Sequence, residues 1–192
     1  MNELVIIFII FILVISFFMH YEERFSDLTY VKSELDNKEY LVRNREDSKL
    51  AANLLAQIKS NLEKLVNYLK NNNSKDERIQ RLVEKFNPQN ISESIAGSDY
   101  TSYSVNKGEK IVFCIRSKDD KQELEDINTM MFVAIHELAH IMTKSIGHTD
   151  EFWENMRFLL EKAIKLGIYN KIDYKSNPRT YCGVKITDSP LQ

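Results

Sequence analysis

"AIHELAHIMTKSIGHTDEFW" occupies residues 134–153 and holds three of the four histidines in the 192-residue chain. His136 and His140 stand four positions apart, so on a helix both imidazoles leave one face about one turn apart. That separation suits a single zinc ion. Glu137 stands beside the same face, where a carboxylate reaches zinc-bound water without ligating the ion itself. The helix has independent support, because Ile127, Met131, Ala134, Leu138 and Ile141 recur at spacings of four and three, the stripe of a helix packed on a core. The histidines project roughly opposite that stripe, so metal binding and core packing use different faces.

A catalytic zinc site takes three protein ligands and leaves the fourth position to water, and His148 is the candidate for the third. Gly147 lets the chain turn sharply, and Thr149, Asp150 and Glu151 read as a helix start with acidic groups at the positive end of its dipole. The second helix begins at about Asp150, carries Phe152, Trp153, Met156, Leu159, Leu160 and Ala163 on one side, and stops at Gly167. His148 is therefore expected at a helix entrance between two anchored helices. The competing explanation is structural: histidines bonded to backbone groups in a core, or an ordinary loop histidine beside a glycine.

"HELAH" followed by "GHTDEFW" resembles the WLM and SprT-like branch of zinc metallopeptidases. The resemblance implies zinc held by His136, His140 and His148, Glu137 as general base, and Phe152 as the packing aromatic four residues after the third histidine. It departs from the extended metzincin pattern, which would place a histidine where Ile146 stands. The tail "NPRTYCGVKITDSP" is similar to that of small WLM-like proteins of large DNA viruses, and the resemblance covers about residues 100–190.

At the other end, "LVIIFIIFILVISFFM", residues 4–19, carries no charge and only Ser16 as a polar interruption. It is short for a spanning helix but too apolar for a soluble surface helix, which predicts a single-pass transmembrane anchor in contact with a lipid bilayer. Glu3 in place of a basic leader, and no small-residue cleavage site, weigh against a removed signal peptide. Arg24, Lys32 and Lys38 follow the segment and no basic residue precedes it, so the catalytic domain is expected on the cytosolic side of a membrane. The sequons at Asn72 and Asn90 matter only in the opposite orientation. The expected organisation is an anchor over 1–20, a charged stalk over 21–46 and one domain over 47–192.

With 28% charged and 43% hydrophobic residues the composition is that of a globular protein. A net charge of -2 and the absence of a dense basic patch weigh against a nucleic-acid partner. The two cysteines, Cys114 and Cys182, leave open one bridge or two free thiols. Leu50, Leu54, Ile58, Leu62, Leu65 and Leu69 predict a core-packed helix from Asp47 to about Lys70, and Ile79, Leu82, Val83 and Phe86 a shorter one closed by Asn87-Pro88. "YTSYSVNKGEKIVFCIRS", residues 100–117, reads as two strands around Asn106-Lys107-Gly108. A strand there either pairs with an extended substrate or lies in the sheet interior.

These elements predict an α+β, zincin-like metallopeptidase domain with a small sheet and an active-site helix, preceded by the anchor. The chemistry expected is hydrolysis of a protein or peptide substrate by zinc-activated water, with Glu137 moving the proton. Tyr174 and Tyr181 are candidates for stabilising the oxyanion. The alternative is a zinc-stabilised membrane or virion component that cuts no bond. Glu137 separates the two, because a structural site has no need of a carboxylate beside its ligands.

Overall fold

Alternating burial of Tyr40 and Val42 along Glu39–Arg43 marks a strand with one face on a core, and that strand lies in a five-stranded sheet. The computed structural model describes residues 3–192, with side chains at 5–18 and 27–192. In chain order the helices are α1 (Glu3–Ser26), α2 (Ser48–Asn72), α3 (Glu77–Lys85), α4 (Ile127–Met142) and α5 (Asp150–Lys165). The strands are β1 (Leu28–Lys32), β2 (Glu39–Arg43), β3 (Ile91–Glu93), β4 (Ser102–Val105), β5 (Lys110–Phe113), β6 (Arg179–Tyr181) and β7 (Val184–Ile186).

The sheet order is β1-β2-β3-β5-β4. Pairs β2–β3 and β3–β5 are parallel, whereas β1–β2 and β4–β5 are antiparallel. The mixed sheet and its helices place the chain among mixed α/β folds. β5 is interior, with Ile111, Val112 and Phe113 buried, and β4 is the edge. Between them Asn106, Lys107 and Gly108 all take positive φ. At Gly108 a Cβ would stand 2.5 Å from the Lys85 carbonyl oxygen, so only glycine lets the turn settle against α3.

The expected long helix is α2, and it packs against both the sheet and α4, as a core helix does. Its buried face is Ala51, Ala52, Leu55, Ile58, Leu62, Leu65 and Leu69. Leu50 is exposed and Leu54 only half-buried. The leucine stripe thus needs correcting in its first turns, because small alanines approach the neighbouring elements there. Arg116, buried after β5, donates from Nε to Glu93 Oε1 at 2.8 Å and from Nη1 to Asp47. The cation ties β3 to the start of α2.

The expected stalk over 21–46 is also corrected. β1 and β2 lie inside it and form the far side of the sheet, with Leu28 facing Arg43 and Lys32 facing Glu39. Charge is high there because one face of this outer hairpin is wet, not because the segment is a linker.

The apolar N-terminal run is helical as expected, and its described side chains, 5–18, are exposed. Among the described residues, however, no helix is long and apolar enough to cross a membrane. This overturns the transmembrane helix over 4–19, and with it the single-pass membrane localisation. Residues 1 and 2 of the expected anchor lie outside the described residues. The sixteen residues of this run, fifteen of them apolar, extend only ~24 Å at 1.5 Å each, against a hydrocarbon core of ~30 Å. The helix then runs on through Glu22, Glu23 and Arg24.

Cys114 and Cys182 form a disulfide across 68 residues, with Cα atoms 6.3 Å apart. It joins the end of β5 to the β6–β7 hairpin, whose turn residues Cys182 and Gly183 have φ of 46° and 78°, as a two-residue hairpin turn requires. Closing so long a loop restricts the unfolded chain by about 4 kcal/mol. Reduction, or Cys182→Ser, is expected to lower unfolding free energy by roughly that amount or somewhat less, read from urea denaturation as a lower midpoint with a somewhat larger m-value, since the unbridged chain exposes more surface.

Candidate metal centre

The helix that carries the first two histidines is fixed at both ends. At its start the Asp126 carboxylate accepts from Asn128 N and Thr129 N, each at 3.0 Å, a side-chain cap that satisfies two otherwise free amides. At its end Thr143 Oγ1 donates to Ala139 O at 2.7 Å and accepts from Asn155 Nδ2 at 2.9 Å, which fastens α4 to α5. Two cations close the carbonyl end: Arg81 donates to Met142 O, and Lys107 Nζ to the carbonyls of Thr143, Lys144 and Ser145 at 2.8, 2.7 and 3.1 Å. Positive charge belongs at this end of a helix dipole. Lys107 also clamps the β4–β5 turn onto the helix.

His148 is placed by the short loop between α4 and α5. Glu151 folds back and accepts from Lys144 N at 3.0 Å, Ser145 N at 3.2 Å and Ser145 Oγ at 2.8 Å. These bonds, those to the Lys144 and Ser145 backbone first, hold its carboxyl down at about 2. Gly147 takes φ +85°, and Thr149 caps α5 by accepting from Phe152 N. His148 is thereby turned back over α4.

The result is a triangle of nitrogens. His136 Nε2 lies 3.1 Å from both His140 Nε2 and His148 Nε2, and those two lie 3.2 Å apart. Ligands held tetrahedrally at ~2.05 Å from zinc are separated by about 3.3 Å, so the donor set fits that ion with its fourth position open. Burial, followed by the charge of the neighbouring histidines, depresses His136 to about 3. Burial, then His148 and Lys107, depress His140 to about 4. Both are therefore neutral near pH 7, with lone pairs available. Phe152 packs against all three rings, at centroid distances of 4.9, 4.4 and 4.7 Å to His136, His140 and His148.

Glu137 is 4% exposed. Burial raises its carboxyl to about 7, while a hydrogen bond from the Ser104 backbone on β4 acts in the opposite direction. A cation on the three nitrogens would further favour the carboxylate. Glu137, the histidines, Ser102 and Ser104 border one cleft of about 610 Å³. Its apolar walls include Phe132, Val133, Trp153, Met156 and Val184.

The four site residues drawn from the sequence, His136, Glu137, His140 and His148, all line this cleft. Of the two tyrosines, Tyr181 lines it as well. Tyr174 is a buried core ring, 4.8 Å from Phe132. In the sequence Lys107 is a turn residue and Glu151 a helix-start acid, and nothing local marks the contacts that they make across the loop. The Ser104 amide carries no sequence signal at all, since any residue supplies it.

With the sheet, the two helices and the histidine triangle established, comparison assigns the class. The WLM domain pattern matches residues 35–190, so the chain belongs to the WLM domain family, a metallopeptidase-like family associated with zinc. That match takes in β2 and begins after β1.

The chain is 36% identical over 188 residues to "Uncharacterized protein R325" of Acanthamoeba polyphaga mimivirus, covering 96% of this chain and 94% of that one. It is 38% identical over 104 residues to "Uncharacterized protein 042R" of Invertebrate iridescent virus 3, covering 53% and 62% of the two chains. Among solved structures, Wss1 from Saccharomyces cerevisiae aligns with a TM-score of 0.49 at 20% identity, over 66% of this chain and 86% of that one. The two viral relatives place this family member beside proteins of large DNA viruses.

Proposed function

We propose that the chain is a zinc-dependent peptidase that hydrolyses peptide bonds in a protein or peptide substrate. His136, His140 and His148 would hold the ion, and Glu137 would act as general base. The observation that carries this is the convergence of three imidazole nitrogens within 3.2 Å beside a buried carboxylate in an open cleft. Zinc, when bound, supplies Lewis acidity that polarises a carbonyl and makes water acidic near neutrality. Glu137 takes a proton from the attacking water as the oxygen–carbon bond forms, then delivers it to the nitrogen as the carbon–nitrogen bond breaks. The edge position of β4 beside the cleft suits main-chain pairing with an extended substrate. The charge of -2 favours a protein partner over a nucleic acid.

A scaffold that binds zinc without catalysis is the second reading, and the buried Glu137 disfavours it, since burying an unneeded carboxyl is costly. Incubation of the zinc-loaded full chain with a diverse peptide library, followed by mass spectrometry, should show cleavage that a chelator abolishes and added zinc restores. Zinc binding at one equivalent with every peptide left intact would favour the scaffold.

A further inference from the structure

We propose that the Tyr181 hydroxyl is a third reacting group of this cleft, donating a hydrogen bond to the oxygen that becomes negative when water adds to the scissile carbonyl. The inference rests on the peptidase reading above. Tyr181 ends β6, is 3% exposed and borders the same cleft as Glu137 and His136. Its Oη lies 2.6 Å from Ser102 Oγ. Glu137 is held by the backbone of Ser104 on the same strand, so the two groups are anchored two residues apart on β4, ~7 Å along the strand. An extended peptide paired along β4 would run past both anchors.

Proton accounting explains why the phenol is available. Ser102 Oγ already accepts from Cys114 N at 3.2 Å, and its own proton can go to Tyr181 Oη. The phenol proton is then unspent, and among the described residues Tyr181 Oη has no other hydrogen-bond partner. Burial raises the phenol well above its ordinary range, so it stays protonated wherever Glu137 works as a base. Its position is fixed from behind: Cys182 follows directly and is bridged to Cys114, whose amide also donates to Thr101 O at 2.9 Å. The bridge thus holds β6 against the strand that carries Ser102.

A donor to a developing oxyanion contributes ~100-fold in turnover, and one hydrogen bond to an anion changes affinity by roughly 10- to 100-fold. The test compares the zinc-loaded full chain with Tyr181→Phe and, as a control, Tyr174→Phe. The probes are an N-phosphoryl dipeptide with apolar side chains, which presents tetrahedral anionic oxygens, and a mercaptoacyl dipeptide, which engages zinc through sulfur alone. Tyr181→Phe should bind the phosphoryl probe at least ~10-fold more weakly, with thiol affinity and zinc content unchanged, and should lower kcat ~100-fold with little effect on KM. Tyr174→Phe should change none of these. Equal phosphoryl affinity and equal turnover in Tyr181→Phe would overturn the tyrosine assignment and leave the peptidase standing. A wild-type chain that holds zinc yet binds neither probe would overturn both.

Discussion

Glu137→Gln is expected to reduce peptide cleavage by ~100-fold or more while one zinc per chain is retained. Glutamine keeps the size of the side chain and can still accept the Ser104 amide, but it cannot take a proton from water at neutral pH. The lost interaction belongs to the transition state, so kcat and kcat/KM should fall together and KM should hardly move. Because Glu137 is 4% exposed and its charged form is disfavoured by burial, the neutral amide should not destabilise the fold. A thermal midpoint at or above that of wild type is therefore expected alongside the loss of turnover. Undiminished cleavage by Glu137→Gln would refute the general-base role.

The other large effect concerns the ion itself. His136→Ala or His140→Ala is expected to weaken zinc binding by at least ~100-fold, since a triangle reduced to two nitrogens cannot define a tetrahedral site. Metal analysis after dialysis against a weak chelator reads this directly, and full occupancy in either variant would remove the metal centre from consideration. The two substitutions differ in their side effects. His136 is the more deeply buried and touches Phe152 edge-on at 4.9 Å, so its removal should also loosen the α4–α5 contact. His140 lies nearer solvent but packs on the same ring at 4.4 Å, so its loss should loosen that contact too, to a smaller degree.

Helix patterns in the sequence carried over to the structure because each depends on neighbours three and four residues apart. The HELAH segment lies on Ile127–Met142 as its apolar stripe requires, and Thr149 and Gly147 act as cap and turn. The histidines converge where the spacing and the family resemblance placed them, since a single helix and the turn after it fix their separation. Hydropathy was a weaker guide at the N-terminus. The composition of residues 4–19, fifteen apolar side chains and Ser16, is that of a span, whereas crossing a bilayer is decided by length.

The remainder depended on contacts between segments far apart in the chain. β1 and β2 were not apparent because their hydrogen bonds are to each other and to β3, 50 residues on, where Arg43 N donates to Glu93. Two cysteines 68 positions apart gave no sign of pairing until the hairpin folded against β5. The same holds for the choice between Tyr174 and Tyr181, which are chemically alike in the sequence. Only the packing puts one ring against Phe132 in the core and the other beside Ser102 in the cleft. Local spacing determined which histidines could cluster; loop closure and strand pairing, which join residues by distance in space and not along the chain, decided what surrounds them.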